Sequence, residues 1–550
     1  MPKNLSRNNR VLKLLVTPVK SSLYLYLLLL NIVSNCGDLV YDQSAFAIFS
    51  MVALAALLAY VEAAMYKLLV WKWARLLFLL LVFVFHNTLI AIDYFLTYHF
   101  HMAIGQDVVD ILAETNPVEA ANFWDTYLSF PVLVLWIVIL VALNLLLVFI
   151  ARLISRLPYL CIAMCCTVSG LCVMALCIYN FKVYHNGMSI PQYQTTTRLA
   201  YSLYIMHQRM QKIESLKVVC SKVKAESTVS DRPTVVVIIG ESFCVYHSSL
   251  YGYGKPTNPL LQQRREDKSL RLYDNVVSVA CATHGAMTSV FSLDSLGVGF
   301  GMHPLFPACF KAAGYRTVMY DNQYFVGSGV NFLADAELSK IMFDKRNTER
   351  YTYDLQMVES IQPGDTPTLY VIHLWGQHYA YSQRYPKSFQ HFKASDYEQK
   401  CWTEKQREVI AHYDNATLYN DYVINEIIKK FENKNCCVVY FSDHGEEVYD
   451  LSSYMGHGNA EHSSDLSYQI RVPLMVWTSP TFSRPELCDV LDSAKHLPIM
   501  TDDISHFLLD MAGISTSSFV ASRSFIRQQY NKDKPRIVLH SIDYDKRMKP

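Results

Sequence analysis

Five long apolar runs fill the first 180 residues, at about 21–35, 45–65, 74–96, 130–151 and 158–180. Each approaches the ~20 residues that a helix needs to cross the hydrocarbon of a bilayer. Five such runs, hydrophobic on every side and so close together, do not fit the core of a soluble domain. The first is the weakest, because Asn31 and Asn35 shorten its apolar stretch. Lys3, Arg7, Arg10, Lys13 and Lys20 before it resemble the basic region of a signal peptide, but Asn35-Cys36-Gly37-Asp38 is a poor cleavage site.

Charge sets the expected orientation. The basic N-terminus, the Lys67/Lys72/Arg75 turn and the Arg152/Arg156 turn read as cytoplasmic, while segments 36–44 and 97–129 carry acidic residues and almost no Lys or Arg. The fifth helix then delivers residues 181–550 to the outside. At 550 residues the chain is too long for one core, and the expected division is a five-helix transmembrane domain at 1–180, a linker at 181–230 and an extracytoplasmic domain at 231–550. A formal net charge of +1 gives no electrostatic footprint for nucleic acid. Of 14 cysteines, five lie in the fifth apolar run and eight in the exported part; without a CxxC pair there, a cysteine-based zinc site is not supported. Cys436 and Cys437, at the head of an apolar run, read as core.

Beyond the linker, short β-rich runs alternate with amphipathic stretches. The clearest strands are Thr234–Ile239, Arg316–Tyr320, Thr368–His373, Cys437–Phe441 and Val472–Trp477, with a further strand expected at Leu272–Val279 and a helical pattern over 404–431. This rhythm predicts an α/β domain with a mostly parallel central sheet covered by helices on both faces. Chemistry in such sheets gathers beyond the carboxyl ends of the strands. There the sequence places Glu241 after one strand, Asp443 and His444 after another, and Thr283 after a third. Two carboxylates and an imidazole suit Zn²⁺ or Mn²⁺, and a hydroxyl beside that ion can become a nucleophile at neutral pH. Each signal alone is weak; together, at successive strand ends, they are specific.

The block Ile238-Ile239-Gly240-Glu241-Ser242-Phe243, followed by His247-Ser248-Ser249-Leu250-Tyr251-Gly252-Tyr253 and Pro256-Thr257-Asn258-Pro259, resembles the lipid A phosphoethanolamine transferase family. That family includes the mobile colistin-resistance enzymes and belongs to the sulfatase/alkaline-phosphatase superfamily. Ala282-Thr283, Asp321-Asn322-Gln323, His373-Leu374-Trp375-Gly376-Gln377-His378, Ser442-Asp443-His444-Gly445-Glu446, Gly456-His457-Gly458 and the outward segment Glu114–Ala120 carry the resemblance further. It implies that Glu241, Asp443 and His444 bind one tightly held zinc ion, with Thr283 both ligand and nucleophile. His378 and His457 would lie around the phosphate or its leaving group, as acid/base residues or beside a second ion. His284 reads as packing and His373 as a core histidine.

The resemblance also implies a donor, phosphatidylethanolamine, and an acceptor, lipid A or a core sugar of lipopolysaccharide, at a bacterial inner membrane with the catalytic domain in the periplasm. Modification of lipid A would connect such an enzyme with polymyxin resistance. Two features depart from relatives: Asp321–Val330 contains no lysine, and Cys281, Cys309 and Cys401 reproduce only part of the cysteine pattern. A phosphoglycerol transferase or phosphodiesterase of the same superfamily is the alternative. A sulfatase activity would need Cys or Ser in a C/S-x-P-x-R setting, which Thr283-His284-Gly285 does not supply.

Overall fold

The structure, a computed structural model, describes residues 16–35, 44–100, 130–184, 194–294, 301–323, 331–398, 402–458, 460, 463–539 and 541–548, with scattered residues between 103 and 128. The chain forms two compact units, Met1–His207 and Gln208–Pro550.

In the first unit the apolar runs become helices α1 (Ser22–Val33), α2 (Ala45–Leu68), α3 (Lys72–Phe100), α4 (Phe130–Ile154) and α5 (Leu160–Tyr184). Among the described residues four of these, α2 to α5, are long and apolar enough to cross a membrane. The first of the five expected spans, α1, has 12 residues. At 1.5 Å per residue that is roughly 18 Å, against a hydrocarbon core of roughly 30 Å. Polar side chains account for the early stop. Asn31 is turned inward, its Nδ2 donating to Glu62 Oε2 at 3.1 Å, and Ser34 Oγ donates to the Asn31 carbonyl at 2.9 Å. Glu62 is held on its other oxygen by His86 Nε2 at 2.8 Å, so the polar groups of neighbouring helices satisfy one another.

Helix α2 starts at Ser44, whose Oγ accepts from Ala47 N at 3.2 Å, and it buries Ala53, Ala55, Ala56, Ala59 and Ala63. Against this stripe of small residues α5 places Gly170, where a Cβ would stand 2.2 Å from the Ala53 carbonyl oxygen. Only glycine permits so close a backbone approach. Phe95, His99, Phe100, Phe123 and Tyr127 form a ring cluster, with Phe100 and Tyr127 5.2 Å apart. Residues 36–43, Met102, Glu114 and 116–119 lie outside the described residues.

The stretch read as a linker holds a 27-residue helix, α6 (Thr195–Ser221). Its polar composition hides three inward residues: Ile213, Leu216 and Cys220 belong to the core of the second unit. That unit is built on a seven-stranded sheet. In chain order its strands are β1 (Thr234–Gly240), β2 (Leu270–Tyr273), β3 (Arg316–Asp321), β4 (Lys345–Arg346), β5 (Thr368–His373), β6 (Cys436–Ser442) and β7 (Leu474–Thr478). Their spatial order is β2-β7-β6-β1-β5-β3-β4. The sheet is mixed: β6, β1, β5, β3 and β4 pair in parallel, while β7 runs antiparallel to both neighbours. The antiparallel direction of β7 could not be read from the sequence, since its run of apolar residues reads alike in either direction. The expected strand 272–279 is broken at Asp274-Asn275, and Val276–Val277 pairs instead with Ile499–Met500.

β1 is buried along its whole length, as a strand covered on both faces must be. Its side chains alternate between two cores: Val235, Val237 and Ile239 join one, Val236 and Ile238 the other. Helices α7 (Thr283–Phe291), α8 (Phe306–Ala312) and α10 (Ile504–Met511) contribute Phe291, Phe306, Phe310, Phe507 and Leu508 to the first core. The long α9 (Glu404–Phe431) contributes Tyr419, Val423, Ile424, Ile427 and Phe431 to the second. A capping box of Thr403 and Gln406 starts α9. Cys436 and Cys437 are fully buried.

Because Leu216 is completely buried whereas Val218 on the same helix is 51% exposed, the two should separate in a stability test. Leu216→Ala should destabilise the second unit by about 2–5 kcal/mol, the range of buried leucine truncations, and Val218→Ala by about 0.5 kcal/mol or less. Denaturant unfolding followed by tryptophan fluorescence would measure both. Equal, small effects would show that α6 is only a tether.

Candidate metal centre and active site

Strand register assembles the site. β1 and β6 pair in parallel with Gly240 opposite Ser442, and β1 pairs with β5 so that Ile239 lies opposite His373. Asp321 of β3 in turn faces His373. The next residues along the chain, Glu241 and Asp443-His444, therefore leave the sheet side by side. Ser242 bends the chain sharply with a φ of +55°, a costly conformation for a residue with a Cβ. It is held there by its own bonds: its N–H donates to Asp443 Oδ1 at 3.2 Å and its Oγ to Glu241 Oε1 at 3.1 Å.

Glu241, Asp443 and His444 are fully buried and offer ligand atoms within 4.8 Å of one another. His444 Nε2 lies 3.3 Å from Glu241 Oε1 and 3.2 Å from Asp443 Oδ2. Thr283, the first residue of α7, puts Oγ1 3.3 Å from Glu241 Oε1 and 3.4 Å from His444 Nε2. These separations suit groups converging on a common point better than groups bonded to each other. Asp443 supports that view: Oδ1 accepts the His444 N–H at 2.7 Å, whereas buried Oδ2 has no hydrogen-bond partner. His444 Nδ1 lies 2.8 Å from the Gly445 carbonyl, which fixes a proton on that nitrogen and leaves Nε2, facing the carboxylates, as the nitrogen a cation would take in place of its proton.

The charges agree with the geometry. Burial works against the Glu241 carboxylate, but the hydrogen bond and charge of His444 hold it well below the usual carboxylate range. Burial and the neighbouring Glu241 push Asp443 up to about 7. Two carboxylates that cannot both keep a charge cheaply in a dry site are the surroundings a divalent cation relieves. The donor set, two carboxylates with one imidazole and a hydroxyl beside them, fits zinc.

Around this group stand the other expected residues. His457 Nδ1 pairs with buried Glu446 Oε2 at 2.7 Å, and its ring lies 4.0 Å from that of His444. His378 is half-buried against Trp375; desolvation lowers it to about 3, and its Nδ1 has no hydrogen-bond partner. Among the described residues the second ligand set joins His457 with His444 and Glu446; His378 is not part of it, unlike the expected pairing of His378 with His457.

Sequence reasoning gave no role to the residues that hold these side chains, though Gln323 and Gly376 stand in the quoted motifs. Gln323 Nε2 donates to Glu241 Oε2 at 3.1 Å and to the Leu374 carbonyl at 2.7 Å. Its place just beyond β3 was the available signal. Asp354 gathers the N–H groups of Trp375 and Gly376 at 2.9 and 3.0 Å. Gly376, with a φ of +49°, lies so near Glu241 that a Cβ would stand 2.9 Å from its nitrogen. His373 is a buried histidine, as expected, with Nδ1 3.1 Å from Asp321 Oδ1.

Residues 233–514 match the Sulfatase family model. Phosphoethanolamine transferase EptC of Escherichia coli (strain K12) is 28% identical over 320 residues, 54% of each chain. The Kdo(2)-lipid A phosphoethanolamine 7''-transferase of the same strain is 29% identical over 266 residues, 46% of this chain and 45% of that one. The chain thus matches about half the length of these curated relatives. The C-terminal periplasmic domain of E. coli EptC, also solved in complex with Zn, is 27% identical with TM-scores of 0.53 and 0.52, covering 59% of this chain and 96% of that domain. The integral membrane lipooligosaccharide phosphoethanolamine transferase A of Neisseria meningitidis shares the fold, with a TM-score of 0.60 over 93% of this chain and 97% of that one at 17% identity. Among the described residues this chain has four helices long and apolar enough to cross a membrane. It belongs to the sulfatase family, and the relatives it resembles there include phosphoethanolamine transferases, among them the Kdo(2)-lipid A enzyme.

Proposed function

We propose that the protein transfers phosphoethanolamine from phosphatidylethanolamine to lipid A or a core sugar of lipopolysaccharide, through a covalent intermediate on Thr283. The observation that carries this reading is the hydroxyl of Thr283 within 3.4 Å of both Glu241 and His444, beside an unbonded buried carboxylate oxygen of Asp443. Glu241, Asp443, His444 and Thr283 would hold zinc, the metal found with the E. coli EptC domain. When bound, zinc supplies a Lewis acid that favours the deprotonated hydroxyl and neutralises phosphoryl charge.

The residues then divide the work. Thr283 Oγ forms a bond to phosphorus as the bond from phosphorus to the diacylglycerol oxygen breaks. His457, oriented through Nδ1 by Glu446, gives a proton from Nε2 to that leaving oxygen. In the second step an acceptor oxygen attacks phosphorus, returns the proton to His457 and frees Thr283. His378, kept neutral by burial, offers an N–H to a phosphoryl oxygen without adding charge. Both substrates are lipids, which gives the apolar helices a purpose. The location that fits is a bacterial inner membrane with the second unit in the periplasm.

Three outcomes are expected. Thr283→Ala should lower transfer at least about a thousandfold, as loss of a nucleophile does, and should erase a phosphoethanolamine adduct that mass spectrometry finds on the 281–289 peptide of wild-type enzyme given phosphatidylethanolamine alone. Retained transfer would overturn the assignment. Asp443→Ala and His444→Ala should each lose bound zinc with activity, since an incomplete shell holds the ion poorly; elemental analysis showing wild-type zinc in both would place the ion elsewhere. Fused after Pro550, alkaline phosphatase should be active and a green fluorescent protein dark; the reverse would rule out a periplasmic catalytic unit.

A further inference from the structure

Away from the metal-binding group lies a second buried cluster that the reaction leaves unused. His247, in the turn Val245–His247 that comes after β1 and Glu241, is 2% exposed. Its Nδ1 lies 2.7 Å from Asp414 Oδ1 on α9, and its Nε2 lies 3.3 Å from both carboxylate oxygens of Asp450. Both ring nitrogens thus face acceptors, and only an imidazolium can donate to both. Asp414 also accepts from Tyr253 and Tyr397, so it is the fixed end of the chain of bonds.

Asp450 is the end that could move. It lies in the turn of a small hairpin in which Glu447 and Val448 pair with Gly456 and Met455, and its Oδ2 takes the Val448 N–H at 3.2 Å. Glu446 enters this hairpin and His457 leaves it. Tyr454 ties the exit by donating to the His457 carbonyl at 2.7 Å.

We propose that His247 is a positioning residue, an imidazolium latch between Asp414 and Asp450 that pins the 447–456 hairpin to α9 and so keeps Glu446 and His457 aimed at the site. It acts through the hairpin, to which Asp450 joins it. Its protonation is set by its surroundings: burial disfavours the charge, but Asp450 and Asp414 raise the group to about 10 from an ordinary 6.5. The other titratable groups against it are Tyr413 on α9, Tyr253, Tyr397 and Cys244. Burial raises all four well above their ordinary values, which keeps them neutral. Because the folded value lies above the unfolded one, the latch contributes fully below about pH 6.5 and is lost as pH rises through about 10.

The test uses the full-length, zinc-loaded protein in detergent, with hydrogen–deuterium exchange over residues 446–458 and transfer from fluorescent phosphatidylethanolamine. His247→Gln should speed exchange in that segment about tenfold at pH 7.5 while leaving Cys436–Ser442 protected. It should also lower kcat about tenfold without changing KM, since binding contacts remain. Asp450→Asn, in the more open partner, should do the same, and the double variant should be no worse than either single one. Wild type should approach the variants' exchange above pH 10. Wild-type exchange over 446–458 in either variant, or effects that multiply in the double variant, would overturn the latch. The kinetic arm rests on the proposed transfer reaction; if wild type transfers nothing, that reading fails while the exchange comparison still decides the latch.

Discussion

The site depends on one constraint, the parallel in-register pairing of β1 with β6. Gly240 opposite Ser442 means that the chains leave the sheet together, and one residue later the carboxylates of Glu241 and Asp443 meet beside His444. A slip of one residue would turn every side chain of β1 to the opposite face. Val235, Val237 and Ile239 would then leave the core that they share with Phe291 and Phe306. The packing of β1 into two different cores therefore fixes the position of a ligand that lies outside it.

Bringing two carboxylates together in a dry pocket works against folding, and the surrounding bonds are what make it tolerable. Gln323 holds Glu241, the His444 backbone N–H holds Asp443, and Gly445 holds His444. What those bonds leave over, Asp443 Oδ2 and the inward face of His444, is where a cation would bind in the proposed reaction. The imidazolium of His247 applies the same logic a short stretch of chain away. There the opposing charges are supplied by side chains of α9 and the hairpin rather than by an ion.

Much of this was legible in the sequence for a physical reason: strands buried on both faces read as unbroken apolar runs, and the residues just past their ends form the site. Thr234–Gly240, Thr368–His373 and Cys436–Ser442 could be placed this way, and with them Glu241, Asp443 and His444. Direction could not be read, since Leu474–Thr478 is equally apolar from either end, and its antiparallel setting is decided by its neighbours. Nor could the length of α1 be judged, because Asn31 serves Glu62 from another helix. The helix over 195–221 was hidden by its polarity; Ile213, Leu216 and Cys220 are too few to show a face against its charged residues. Gln323 and Asp354 act through contacts made only in the folded chain.

The central claim is that Glu241, Thr283, Asp443 and His444 form one zinc site. Anomalous diffraction recorded at the zinc edge from crystals of the full chain tests it most directly. The account predicts a strong peak within about 2.0–2.2 Å of Asp443 Oδ2, His444 Nε2 and a Glu241 carboxylate oxygen, with Thr283 Oγ1 completing the shell. A zinc-grown crystal whose strongest peak lies away from these four residues, or that shows no peak among them, would contradict it.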